Sequence, residues 1–299
     1  MKEIAIIGST ASGKSDLALQ LAQEFNGVIF SIDSLSIFKE IDIASAKPSK
    51  SELSIAQHFG INVLAPNEHA NVFTFIDEYH HAKNFAQAHN QILIIVGGSS
   101  FYLKSMLDGL SNIPSYSNET LQFVESMMTD LEKSYAHLKS IDPISIEKIA
   151  PNDRYRIEKL LLLTTQTNIP PSQWFKLNPP TPIIDSCPIF DLKIDRELLR
   201  KRILIRTHKM INEGVIDEVA ALEKTYGRSS NSMKAIGIIE TLNYLDGKID
   251  LENLINEIFT HTAQLAKRQQ TFNSNQFHTE ASGTSEELYK EIKKLLKKL

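Results

Sequence analysis

The chain has 299 residues, 42% of them apolar and 23% charged, with a formal net charge of −4. This composition predicts a soluble globular protein with one large α/β domain and a smaller one, and it excludes a surface coated in positive charge but not a local nucleic-acid patch. The single cysteine, Cys187, excludes an internal disulfide framework and a cysteine zinc site, and no apolar run is long enough to predict a membrane span.

In chain order, Ile4 to Ile7 is a short apolar run that stops at Gly8, as a buried parallel strand does. It runs straight into a glycine loop, so it reads as a first strand and not as a signal peptide, and a cytoplasmic location is expected. Leu17, Ala18, Leu21 and Ala22 are spaced as one apolar helix face. Val28 to Ile32 predicts a second strand ending at Asp33, and Ile92 to Val96 a third ending at Gly97-Gly98. Phe73 to Ala88 is a surface helix crossing between them, and Phe101 to Leu107 is another helix. The adjacent His80 and His81 read as surface residues. Strands that end in polar or glycine residues mark an open α/β sheet, whose ligands sit beyond the strands' carboxyl ends.

Near Asn112 the character changes. SNIPSYSN is a linker by composition, helical patterns follow over Leu121–Leu138 and Ile157–Leu163, and a proline-rich stretch runs from Ile169 to Pro182. The organisation predicted is a core over 1–112, a helical insertion over 113–180, a return to the core over 181–272 and a charged helical tail over 273–299, with a peripheral amphipathic helix over Gly283–Leu299. In the returning part Pro188–Leu192 reads as a strand, Glu197–Met210 as a basic helix, and Met233–Leu245 and Leu254–Gln270 as further helices. No exposed heptad seam is evident, so a monomer is expected.

The segment Gly8, Ser9, Thr10, Ala11, Ser12, Gly13, Lys14, Ser15 fits G-x-x-x-x-G-K-[ST], between a predicted strand and a predicted helix. Glycines let the backbone wrap phosphate oxygens, and N–H groups at a helix start point at the anion. Lys14 supplies a positive charge and Ser15 a hydroxyl for Mg²⁺. The loop alone does not say which phosphate compound is bound. Asp33, at the end of the neighbouring strand, can hold a metal-bound water, accept a proton from a nucleophile, or simply cap the segment that follows. Gly97-Gly98 permits close approach of a substrate, and Ser99 beside it can donate a hydrogen bond.

Several stretches together carry a specific resemblance: GSTASGKS (8–15), IDSLSIFKEIDIASAKP (32–48), VGGSSFYLKSMLDGL (96–110), PNDRYR (151–156), IDRELLRKRI (194–203), SMKAIGIIETLNYLDG (232–247) and QLAKRQQTF (264–272). The chain resembles the bacterial tRNA dimethylallyltransferase (isopentenyl-tRNA transferase) family over nearly its whole length. The resemblance implies a P-loop core related to nucleotide kinases, with a helical insertion that grips the anticodon stem. It implies Mg²⁺-dependent transfer of a dimethylallyl group from dimethylallyl diphosphate to N6 of adenosine 37, in tRNAs that read codons starting with U.

By the same resemblance Asp33 is the general base for the adenine amine, Lys14 and Lys234 stabilise the departing pyrophosphate, Ser99 keeps the hydroxyl of the family's VGGT, and Ser15 binds the metal. The substrate tRNA is expected to meet Asp33, Ser34, Leu35, Ser36, Arg156, Lys159, Lys234, Gly237 and Lys267, with Arg196, Arg200 and Arg202 as further phosphate contacts and Arg268 turned toward the reaction. This chain departs from the family at Phe38, where a tyrosine is common, at Ile238 and Ile239 in place of Tyr-Arg, at Lys234 in place of arginine, and at Ala263 and Phe272. The rival function is an ATP-dependent small-molecule kinase, which would share the loop, Mg²⁺ and Asp33 but has no need of IDIASAKP or QLAKRQ. A pure RNA-binding protein would leave the phosphate loop without a use.

Overall fold

A computed structural model describes residues 2–298. The chain divides into two compact units, Met1–Ser105 with Asp185–Leu299, and Met106–Ile184. In the first unit the order is β1 (Glu3–Gly8), α1 (Lys14–Phe25), β2 (Gly27–Ser31), a short α2 (Lys50–Leu53), β3 (His58–Phe59), α3 (Val72–Ala88), β4 (Ile92–Gly97) and α4 (Ser100–Asp108), which crosses the division. The second unit holds α5 (Asn118–Met127), α6 (Leu131–Ile141), α7 (Pro143–Ile146), α8 (Arg154–Thr167) and α9 (Pro171–Leu177). The chain returns through β5 (Ile189–Leu192), α10 (Arg196–Glu213), α11 (Val215–Tyr226), α12 (Ile238–Leu245), α13 (Leu251–Gln276), β6 (Ala281–Gly283) and α14 (Ser285–Lys298).

The six strands form one sheet in the order β3-β2-β4-β1-β5-β6, and every pairing is parallel. Ile4 pairs Ile94 and Ile6 pairs Val96 across β1 and β4, while Ala5 pairs Ile189 on the other side. Both faces of these strands are covered, which is why they read as unbroken apolar runs instead of alternating ones. The parallel order places the carboxyl ends of β1, β2 and β4 side by side, and those ends carry the glycine loop, Asp33 and Gly97-Gly98.

Four expectations are corrected. Leu121–Leu138 is two helices and not one, because Asp130 accepts from the Lys133 N–H and starts α6 afresh. Met233–Leu245 is likewise broken: a 3₁₀ turn over Ser232–Lys234 precedes α12, and Gly237, at φ 93°, forms the kink between them. The tail helix expected over Gly283–Leu299 is not peripheral. α14 buries Leu288, Ile292 and Leu296 at 1%, 0% and 4% exposure, in one cluster with Leu17 and Leu21 of α1 and Phe190 of β5. Its charged residues disguise it, because the apolar stripe is narrow and recurs only every four residues. The insertion is also wider than 113–180, spanning Met106–Ile184, since Ile183 and Ile184 donate to the Met106 carbonyl. The two-residue β3 and three-residue β6 were too short to leave a pattern.

The position of α14 gives a direct stability test. Ile292→Ala removes a fully buried side chain and is expected to cost about 2–5 kcal/mol of unfolding free energy, read by denaturant titration. A cost below about 0.5 kcal/mol would show the helix to be an appendage after all.

Candidate active site

The phosphate loop closes β1 onto α1. Gly13, at φ 99°, is the N-cap of α1, and a Cβ there would lie 3.1 Å from the Arg202 Nη1. Only glycine allows both the left-handed backbone and that close approach. Inside the loop the hydroxyls of Ser9 and Ser12 are buried and have no hydrogen-bond partner among the described residues. Orphaned buried polar atoms at a helix start fit an anion that would satisfy them. Ser15 is exposed in the first turn of α1 beside them, placed to reach a cation held by that anion. Among the described residues no cluster of three His, Cys, Asp or Glu could hold a metal by itself. A Mg²⁺ carried by Ser15, phosphate oxygens and water needs no such cluster.

Lys14 is buried, with its Nζ 3.1 Å from the Ser9 carbonyl oxygen. Burial lowers its pKa to about 8; the charge of Asp33 opposes that shift and the charge of Arg206 adds to it. Asp33 follows β2 and accepts the N–H of Leu35 (2.9 Å) and of Ser36 (3.1 Å) through Oδ1. The capping role is therefore real, but it uses one oxygen. Among the described residues Oδ2 has no hydrogen-bond partner, so the carboxylate retains capacity for a substrate. Ser99 Oγ accepts from the Ser34 N–H at 3.1 Å, which leaves its own O–H able to donate.

Two cations that the sequence reading left outside the site belong to it. Arg202 on α10 donates to the Ser12 carbonyl at 2.8 Å. Arg206, one turn on, donates to Thr10 Oγ1 at 3.3 Å and to the Ser45 carbonyl at 3.2 Å. Burial lowers the Arg206 pKa and the charge of Asp33 opposes that shift; a guanidinium keeps its charge in proteins at neutral pH. Arg202, although exposed, thus braces the phosphate loop. Arg200, also expected to meet RNA, stands 4.7 Å over the Phe259 ring. Arg196 is exposed.

Gln269 is a third residue the sequence reading passed over. Its Oε1 accepts the Thr10 N–H at 2.8 Å and its Nε2 donates to the Gly98 carbonyl at 3.0 Å, stapling the phosphate loop to the end of β4. Helix spacing was the available signal: Ile258, Thr262, Leu265 and Gln269 are separated by four, three and four residues, and all line the cavity beside Asp33. Lys267 and Arg268 lie off that face, exposed in a shallow groove with Phe272, so Arg268 does not turn toward the reaction.

The cavity beside Asp33 has a volume of about 280 Å³. Its walls include Thr10, Asp33, Ser34, Leu35, Ser99 and Arg206 on one side, and Met210, Lys234, Ile236 and Ile258 on the other. Lys234, exposed at the end of the 3₁₀ turn, is therefore brought to Asp33 and Ser99. Ser36 is buried and lines a smaller cavity that Asp33 and Lys14 share. Gly237 is not placed to touch RNA: it is buried, and its N–H donates to Glu240 Oε2 at 2.6 Å. Arg156 and Lys159 lie on α8 of the second unit. Arg156 is exposed, 3.4 Å from Asp153, and Lys159 stands 5.6 Å over the Tyr155 ring.

Within IDIASAKP, Ala44 and Ser45 line the cavity beside Asp33, whereas Lys47 has a structural part. Lys47 donates to the Phe38 carbonyl, to Asp42 (2.7 Å) and to Asn62 (2.6 Å), so it fastens its own loop. Phe38 is buried at 4% exposure, where a phenol's hydroxyl would need a partner.

An all-parallel sheet with a glycine loop after its first strand, a buried lysine in that loop and an adjacent strand-end carboxylate defines a P-loop enzyme working on a phosphorylated substrate. The chain belongs to the IPP transferase family, whose profile matches residues 36–276. It is 50% identical over 288 residues to the tRNA dimethylallyltransferase of Sulfurimonas denitrificans, covering 96% of this chain and 97% of the relative. It is 51% identical to that of Nautilia profundicola, covering 95% and 96%. Among solved structures, a eukaryotic dimethylallyltransferase acting on tRNA matches with a TM-score of 0.81 at 29% identity, covering 91% of this chain and 70% of the other. A tRNA isopentenylpyrophosphate transferase from Staphylococcus epidermidis matches with a TM-score of 0.70 at 26% identity, covering 100% and 99%.

Proposed function

We propose that this chain transfers a dimethylallyl group from dimethylallyl diphosphate to N6 of adenosine 37 in tRNAs that read codons starting with U, releasing pyrophosphate. It acts as a cytoplasmic monomer. Among the described residues no helix is long and apolar enough to cross a membrane. The observation that carries the reading is Asp33, its Oδ2 without a hydrogen-bond partner among the described residues, lining one cavity with Thr10 of the phosphate loop, Ser99 and Lys234. A kinase reading is not favoured, because the relatives named above are tRNA dimethylallyltransferases across nearly their whole length.

In this reading the diphosphate lies against Gly8–Ser15, with Ser9 and Ser12 donating to it. The cavity beside Asp33, with Leu35, Met210, Ile236 and Ile258 in its wall, takes the allylic chain. The adenine must leave the anticodon stack to reach that chain. The N6 nitrogen then bonds to C1 of the dimethylallyl group as the C1–O bond to diphosphate breaks. Asp33 accepts the amine proton, which helps because an exocyclic adenine amine is a weak nucleophile. Lys14, Arg206 and Lys234 offset the charge gathering on pyrophosphate. Ser15 would hold Mg²⁺, which would supply further neutralisation of that leaving group.

The test is to incubate protein, Mg²⁺, unmodified tRNA containing A37, and dimethylallyl diphosphate labelled in the prenyl chain. Label should appear in tRNA at A37. No transfer to any tRNA, with ATP turned over instead, would replace the proposal by the kinase reading.

The second unit is proposed to hold the anticodon stem through Arg156 and Lys159. A phosphate contact contributes through counterion release, so Arg156→Ala should weaken tRNA binding and make the slope of log K against log salt shallower by about 1. An unchanged slope would remove Arg156 from the interface.

A further inference from the structure

A carboxylate on α11 is bonded into the wall of the active site. Glu218 Oε2 accepts the N–H groups of Asp42 (2.9 Å) and Ile43 (2.8 Å), and Oε1 accepts that of Ala44 (3.0 Å). Three consecutive main-chain donors converge on one side chain 174 or more residues away in sequence. The loop they belong to is strained: Glu40 at φ 62° and Ala46 at φ 48° both stand in the left-handed region without being glycine. Such backbone persists only where its surroundings over-determine it. The residue after the anchored donors is Ser45, whose carbonyl accepts from Arg206, and Arg206 also bonds Thr10 of the phosphate loop. The contacts run without a gap from Glu218 through residues 42–45 to Arg206 and Thr10.

We propose that Glu218 is a positioning residue for the transfer reaction: it holds the loop at 42–45 so that the Ser45 carbonyl aims Arg206 at the phosphate loop. This rests on the reading that the loop at 8–15 binds a diphosphate. Without the anchor, the strained loop relaxes, Arg206 loses one of its two acceptors, and the cation no longer points at the departing pyrophosphate. Glu218 touches neither substrate, so its effect passes entirely through Arg206.

The test is a double-mutant cycle of Glu218→Ala and Arg206→Ala, read by calorimetric binding of Mg²⁺-pyrophosphate and by prenyl transfer to tRNA. Glu218→Ala alone should weaken pyrophosphate binding about tenfold and slow transfer at saturating substrates by a similar factor. In the Arg206→Ala background it should change either by less than twofold, because coupled residues are not additive. A residue that merely stabilises the fold would instead add its full effect in both backgrounds, or lower the melting temperature with pyrophosphate binding unchanged. Either outcome overturns the proposal. Glu218→Gln keeps the side chain's shape and one acceptor oxygen, so it carries the same prediction, at about threefold, should the alanine variant not fold. Pyrophosphate binding is independent of prenyl transfer. If the unaltered protein binds pyrophosphate but transfers no prenyl group, the functional reading fails while the cycle still decides the role of Glu218.

Discussion

Asp33→Asn is expected to lower prenyl transfer by about 10²–10⁴-fold, the range for removing a placed general base. Asparagine is the informative replacement. Its Oδ1 can still accept from Leu35 and Ser36, so the turn after β2 survives. What it loses is the negative charge and the ability to take a proton from the amine. Pyrophosphate affinity should stay the same or improve, since a carboxylate beside the phosphate loop repels the anion. Asp33→Ala should be as slow and less stable, because it also frees two N–H groups. If the asparagine variant keeps more than about a tenth of the activity, proton removal belongs to another group and Asp33 is only a cap.

Lys14→Ala is expected to weaken pyrophosphate binding and cut transfer by about 10²–10³-fold, as removal of one stabilising donor does at a site of developing negative charge. Its pKa supplies a more specific signature. In the free protein burial lowers the Lys14 pKa to about 8. Bound diphosphate favours the charged amine and raises that value. Below about pH 8 the lysine is already protonated and affinity does not depend on this group. Above it, binding must take up a proton, and affinity should fall by up to tenfold per pH unit until the liganded pKa is reached. The same linkage affects folding with the opposite sense: a charged lysine buried at low pH is a cost, and that cost diminishes as pH rises through 8. Lys14→Arg should abolish the affinity step while retaining part of the binding. A wild-type affinity flat from pH 7 to 10 would mean that Lys14 does not meet the anion.

Much of this site was legible because its geometry is local. A glycine loop between a strand and a helix, and an aspartate at the end of the next strand, are each set by a few neighbouring residues, and a parallel sheet must bring its strand ends together. Arg202, Arg206, Gln269 and Glu218 were not legible in the same way. Each acts on a segment more than 100 residues away, and nothing in its local pattern names that segment. The α10 helix shows the difficulty: its arginines and lysines read as one basic face, yet Arg202 and Arg206 bond the phosphate loop, Arg200 lies on an aromatic ring and Arg196 stays in solvent. Spacing did contain part of the answer, since Arg202 and Arg206 are one turn apart beside the buried Leu199 and Ile203. The tail failed for the opposite reason: a strong charge pattern hid three apolar residues that the core needs.

The most direct measurement is a crystal structure of the protein soaked with Mg²⁺ and an unreactive analogue of dimethylallyl diphosphate. Both phosphoryl groups should lie against the main chain of residues 9–15, with the hydroxyls of Ser9 and Ser12 turned onto them and the allylic chain running into the cavity beside Asp33. An anion bound elsewhere, with the two serine hydroxyls still unpaired and Asp33 remote from the allylic carbon, would contradict this placement.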